Sequence, residues 1–242
     1  MERTEIFKEE LDYIKNPDIQ TFAVAALNLL PEYFFSVAAS STGKYHPSYA
    51  LGEGGLVRHT KAAIRFLKHI TSIEQTTNQF TQDEIDCMLV ELMLHDGIKH
   101  GTEGSKFTTF THPLVAAEFV SKREELNNII SPEYRNLISE CIASHMGQWN
   151  TDKRSSETLP KPQNKYQKLV HLCDYLASRK DIEVLFNNET ISKPTIDTYK
   201  VSFGRHKGLT LVEISEQDPD YITWAKENIT REPIASLLKE LK

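Results

Sequence analysis

The chain has 242 residues, room for one generous domain or for a domain with a small appendage. Its 39% hydrophobic and 26% charged residues are those of an ordinary globular protein, and no run of about 18 apolar residues offers a membrane span. A net charge of −6 argues against unspecific attraction to DNA or RNA, but not against a nucleotide or nucleic-acid end held through bound cations.

The first residues, Met1-Glu2-Arg3-Thr4-Glu5, are charged and lack a signal-like apolar stretch. Cys87, Cys141 and Cys173 lie far apart within helical apolar patterns, so they are expected as small core residues in a reducing cytoplasm. Residues 1–15 read as a polar amphipathic helix with Ile6, Leu11 and Ile14 on its apolar side. Asn16-Pro17 supplies an N-cap and a first helical position for a helix through Phe22, Val24, Leu27 and Leu30. Pro31 opens another through Tyr33, Phe34 and Val37. After a glycine-bearing approach, the stripe Leu56, His59, Ala63, Leu67 and Ile70 predicts a helix that carries His59 inward. Alone, His59 reads as a satisfied core histidine.

The pattern then repeats. Ile85, Met88, Leu89 and Leu92 form a stripe over Asp83 to Leu94, and the chain runs directly into His95-Asp96. Thr111 is expected to cap a helix beginning at His112-Pro113. Pro132 opens a helix whose stripe of Leu137, Ile138, Cys141 and Ile142 continues onto His145. Tyr166, Val170, Cys173, Asp174 and Ala177 share a face, which aims Asp174 among apolar neighbours. Four histidines and two aspartates from five helices thus aim at one core, where unpaired carboxylates are costly. Imidazole with carboxylate suits Mn, Fe, Co, Ni or Zn, and six ligands exceed the needs of one tetrahedral ion, so two divalent transition metal ions are expected.

The order His59, His95-Asp96, Asp174 on helices resembles the HD superfamily of metal-dependent phosphohydrolases, and His112 and His145 match its six-ligand, two-metal variety. His46, Gly54-Gly55-Leu56, His59-Thr60, Leu94-His95-Asp96-Gly97-Ile98-Lys99, Ser144-His145-Met146-Gly147, Leu159-Pro160 and Asp174-Tyr175-Leu176-Ala177-Ser178-Arg179 are similar to the HD domain of YhaM-type 3′-to-5′ exoribonucleases. The likeness spans roughly residues 10 to 185. No strand-rich segment precedes residue 46, so the OB-fold module of those enzymes is not expected, and the likeness implies the chemistry more than the substrate.

Beyond a polar linker at 187–196, the periodicity changes. Tyr199, Val201 and Phe203 alternate, residues 204–208 make a turn, and Leu209, Leu211 and Ile214 follow, which predicts a β-hairpin. Asp218-Pro219-Asp220 starts a helix with Tyr221 and Trp224, and Pro233 opens a last one. This unit resembles the C-terminal domain of exodeoxyribonuclease X-like proteins through Phe203-Gly204, Lys207-Gly208, Leu211, Tyr221 and Trp224. The expected fold class is therefore mainly α: an HD helical bundle at 1–186 and a small α+β domain, hairpin plus helices, at 197–242.

These readings imply hydrolysis of a phosphoester in a nucleotide or a single-stranded nucleic-acid end, as a phosphodiesterase or nuclease, by a hydroxide held between two metals. One metal is expected on His59, His95, Asp96 and Asp174, the other on His112, His145 and a bridging Asp96. Lys99 is expected either to neutralise transition-state charge or to be a solvated lysine at a helix C-terminus. His46, Lys106, Trp149 and Arg179 are further candidates for substrate contact, Trp149 either stacking on a base or packing. Lys200, Arg205, His206 and Lys207 form a basic tip that meets nucleic-acid phosphates or, slightly favoured, a solubilising turn. A nucleotidase or dNTP/cyclic-nucleotide hydrolase whose C-terminal domain serves assembly is the alternative, with a homo-oligomer left open. A non-catalytic binding protein is disfavoured because all six ligand positions are filled.

Overall fold

A computed structural model describes residues 3–40, 46–102, 104–105, 107–182, 184, 195–230 and 233–241. Where one amphipathic helix was expected at the start, the chain makes two short ones, α1 (Arg3–Ile6) and α2 (Lys8–Leu11). The break falls at Phe7, which is fully buried against Phe34. Asn16 caps α3 (Pro17–Leu29) by accepting the N–H groups of Asp18 and Ile19. The helix expected after Pro31 is a single 3-10 turn, Glu32–Phe35.

The loop before α4 (Gly55–Thr71) is tied down by Arg58, whose guanidinium donates to the carbonyls of Tyr49, Leu51 and Glu53. A Cβ at Gly55 would stand 2.3 Å from the Ala50 carbonyl oxygen, so only glycine lets the loop close onto the helix start. After the short α5 (Glu74–Thr77), α6 (Gln82–Leu94) begins with a capping box of Thr81 and Glu84. On α6 the buried carboxylate of Asp86 accepts the backbone N–H groups of Lys15 and Asn16, which anchors the N-terminal segment. Next come α7 (His112–Lys122), α8 (Pro132–Ser144, capped by Ser131) and α9 (Lys165–Ala177, with a capping box of Asn164 and Gln167).

In this bundle α7 packs on α8, α4 on α9, and α6 against α3, α4 and α8. The apolar stripes read from the sequence face one another in a core that includes Phe22, Leu56, Leu67, Met88, Leu92, Ile138, Val170 and Cys173. Cys87, Cys141 and Cys173 are buried free thiols.

A second core joins Val201, Leu211, Ile214, Ile222, Ala225, Ile234, Leu237 and Leu238, contributed by α10 (Leu211–Gln217), α11 (Pro219–Asn228), α12 (Ile234–Glu240) and the segment before them. The expected hairpin reduces, among the described residues, to one antiparallel bridge between Lys200 and Thr210. The reason is local: Thr210 and Glu213 form a capping box, so Leu211 opens a helix where alternation suggested a strand. Residues 187–194 of the expected linker, and Lys106, lie outside the described residues. Among those described, no helix is long and apolar enough to cross a membrane.

Candidate metal centre

The bundle brings one end of five helices together. His59 sits in the second turn of α4, His95 at the C-cap of α6 with Asp96 beside it, and His112 opens α7. His145 is the C-cap of α8, and Asp174 lies in the last turn of α9. The C-terminal ends of α6, α8 and α9 therefore converge here, where their dipoles favour a cation.

Asp96 stands at the middle. Its Oδ1 is 3.0 Å from His112 Nε2 and 3.8 Å from His145 Nε2. Its Oδ2 is 3.5 Å from His95 Nε2, 3.9 Å from His59 Nε2 and 2.5 Å from Lys99 Nζ. Asp174 Oδ1 closes the second half, 3.0 Å from His59 Nε2 and 3.5 Å from His95 Nε2. Each carboxylate oxygen of Asp96 thus faces a different pair of imidazoles. Among the described residues, two groups have candidate ligand atoms all within 4.8 Å of one another: His59, His95 and Asp174, and His95, Asp96 and His145. His95 lies between the two halves, and His112 joins through its contacts with Asp96 and His145.

The tautomers follow from backbone contacts. His95, His112 and His145 each have Nδ1 2.7 Å from the carbonyl oxygen three residues earlier, of Leu92, Thr109 and Ile142 respectively. A carbonyl only accepts, so Nδ1 carries a proton in each ring and Nε2 turns to the centre, where it presents a lone pair whenever the ring is neutral. His112 Nε2 and His145 Nε2 then face each other at 3.3 Å, a repulsive contact without a cation or proton between them. His95 Nε2 and His59 Nδ1 are buried without a hydrogen-bond partner. Ligands about 2.0–2.1 Å from one ion stand roughly 2.9–3.4 Å apart, and the shorter separations here fall in that range. The residues fit a divalent metal.

The charge states at the centre are set by these same contacts. Burial opposes ionisation of Asp96, yet Lys99 and the neighbouring histidines hold its carboxyl well below the usual range. Asp174 is held low likewise, by His59 and His95 against the effect of burial. Burial, with His95 and His112 nearby, brings His145 down to about 3 and keeps it neutral. His95 goes the other way, to about 9, because the charges of Asp96 and Asp174 outweigh its burial. Without metal, a proton on His95 does part of a cation's work between the two carboxylates.

A model of the HD domain matches residues 56–179, half of the chain. The chain belongs to the HD domain family. The HD domain carries with it metal-dependent phosphohydrolase chemistry and divalent-metal binding. A second model, Exodeoxyribonuclease X-like C-terminal, matches residues 201–230. Searches of curated proteins and of solved structures gave no match.

Around the HD centre, His46 stands edge-on to His59, ring centroids 5.4 Å apart. Burial and the nearby His59 and Lys99 lower it to about 3, so it is neutral. Trp149 and Arg179 both meet Tyr175: Trp149 stacks on that ring at 5.7 Å and the Arg179 guanidinium lies 4.4 Å from its centroid. The basic tip is weaker than its residue count suggests. Arg205 and His206 both bind Asp218, at 2.6 and 2.9 Å, and Lys207 lies over the Phe107 ring. Lys200 is exposed beside the bridge to Thr210.

Two residues near the centre escaped the sequence reading. Glu91 is fully buried one turn before His95, with no partner for either oxygen, and burial raises it to about 8. His171 Nδ1 donates to the His145 carbonyl. The available signal was spacing: Glu91 is four residues before His95, and His171 three before Asp174.

Proposed function

We propose that this HD protein is a two-metal phosphohydrolase acting on a phosphodiester in a nucleotide or single-stranded nucleic-acid end. The observation that carries the reading is Asp96, whose two oxygens face separate imidazole pairs with lone pairs aimed inward. His59, His95, Asp174 and Asp96 Oδ2 would hold one ion; His112, His145 and Asp96 Oδ1 the other. When bound, the ions supply acidified water as the nucleophile and neutralise charge on phosphoryl oxygens. The domain reading, a catalytic unit at 1–186 and an accessory unit at 197–242, is part of the same proposal.

The chain's own groups do the rest. Nδ1 donation to backbone carbonyls holds three imidazoles in the ligating tautomer and orientation. Lys99 donates to Asp96 Oδ2 at 2.5 Å and so stands beside the centre; with Asp96 engaged in holding a metal, its ammonium would be available to meet a phosphoryl oxygen. His46, neutral beside His59, offers substrate a hydrogen bond and no charge.

The test is metal analysis of the purified protein together with hydrolysis of bis-p-nitrophenyl phosphate. Bound divalent metal and turnover are expected, with Asp96→Ala losing at least about 100-fold in activity. A metal-free protein, or undiminished turnover in that variant, overturns the proposal. Screening dNTPs, cyclic dinucleotides and short oligonucleotides then separates diesterase from nucleotidase action.

A further inference from the structure

The six central residues are almost sealed. Side-chain exposure is 3% or less for His59, His95, Asp96, His112 and His145, and rises only at Asp174, to 19%; neighbouring Lys99 is at 12%. Substrate has to arrive on the Asp174 side.

What stands on that side is a surface ladder of flat groups. His171, Tyr175 and Arg179 follow one another at four-residue steps along the C-terminal half of α9 and just beyond it, so they form a row beside Asp174. Trp149, four residues after His145, lies across this row. Its ring stacks on Tyr175 with planes 15° apart and meets His171 edge-on at 6.2 Å. Arg179 covers Tyr175 4.4 Å from its centroid and is itself held by the Ser178 hydroxyl. Trp149 is nevertheless 45% exposed. A tryptophan serving only the core would be enclosed, whereas this one is fixed in orientation from beneath and left open. Leu172, three residues before Tyr175, is likewise exposed, at 44%.

We infer that the Trp149–Tyr175–Arg179 ladder is a nucleobase platform, on which an unpaired base of the substrate stacks while its phosphate enters beside Asp174. The inference rests on the phosphohydrolase reading and narrows its substrate class. Every base has a π-face, so the platform favours a base over none without choosing among bases. A paired base, covered on its hydrogen-bonding edge and on both faces within a duplex, is excluded.

The test compares AMP with ribose 5-phosphate, two phosphates of one sugar that differ in the base, by calorimetry on the metal-loaded protein. The wild type is expected to bind AMP roughly 5- to 100-fold more tightly. Trp149→Ala should bring that ratio close to one, and Trp149→Phe should keep most of it. In a Trp224→Phe background Trp149 is the sole tryptophan, and its fluorescence should be quenched by AMP and not by ribose 5-phosphate. Metal content reports whether each variant keeps its centre. A wild-type ratio near one overturns the inference, as does a Trp149→Ala variant that keeps the ratio or changes only its oligomeric mass, which would assign the indole to a subunit contact. Failure of metal binding or reporter hydrolysis would instead sink the phosphohydrolase reading, so the two failures are distinguishable.

Discussion

His95 and Glu91 lie one turn apart on α6, and in the metal-free protein both hold protons above their ordinary range, to about 9 and about 8. For both, the folded value exceeds the unfolded one, 6.5 for His95 and 4.5 for Glu91, so stability is lost as pH rises toward the folded value. Between pH 6.5 and about 8 the two act in the same direction. Chelator-treated protein is therefore expected to melt at progressively lower temperature over that interval. Added divalent metal should abolish the part due to His95, and Glu91→Gln the part due to Glu91; a flat profile in untreated apo protein would refute the assignment. The same pair shows what spacing can and cannot reveal. His95 and Asp96 were legible because a histidine and a carboxylate end an apolar stripe. Glu91 was not, because a single glutamate within a helix reads as a solvated face until its burial is known.

Legibility was greatest where the local code and the packing agree. Asn16-Pro17, Ser131-Pro132 and Asp218-Pro219 start helices as read, each with a side-chain cap onto backbone N–H groups. Phe7 and Thr210 went the other way. The first interrupts a helix because it finds a core partner far along the chain, and the second starts a helix with its own N3 glutamate against a β-like alternation. The segment after α8 depends on a tighter constraint. Gly147 has φ +57°, and a Cβ there would lie 2.2 Å from the His171 ring. Gly147→Ala is expected to cost roughly 1–3 kcal/mol from backbone strain and the displaced imidazole. It should also lower metal content, because His171 braces the His145 carbonyl. Thermal melts of G147A, H171A and the double variant check this: the double should lose less than the sum of the singles, since one substitution removes the other's clash.

The two hydrophobic cores share no residue: one gathers residues from Phe7 to Ala177, the other from Val201 to Leu241. All six central residues belong to the first stretch. A chain ended at residue 186 is therefore expected to keep its divalent metal and its turnover of the small diester reporter. Loss of either, measured on a truncated protein that still melts cooperatively, would tie the C-terminal unit to the chemistry. That unit alone, at about 45 residues, is near the size where one core is barely sufficient, so it is expected to be far less stable than the bundle.

Because most of the central residues sit at helix ends, the bundle separates two kinds of change. Adding one residue inside α6 would swing His95 by about 100° and advance it about 1.5 Å, destroying the cluster. The connections over 97–111 and 145–164 begin or end at the centre, and lengthening them at their middles leaves the anchored ends where they are, at a cost that grows only slowly with length. The second of these connections carries Trp149, the residue proposed to meet the substrate base. The same catalytic floor can therefore acquire new walls, and new substrates, through insertions that the helices never register.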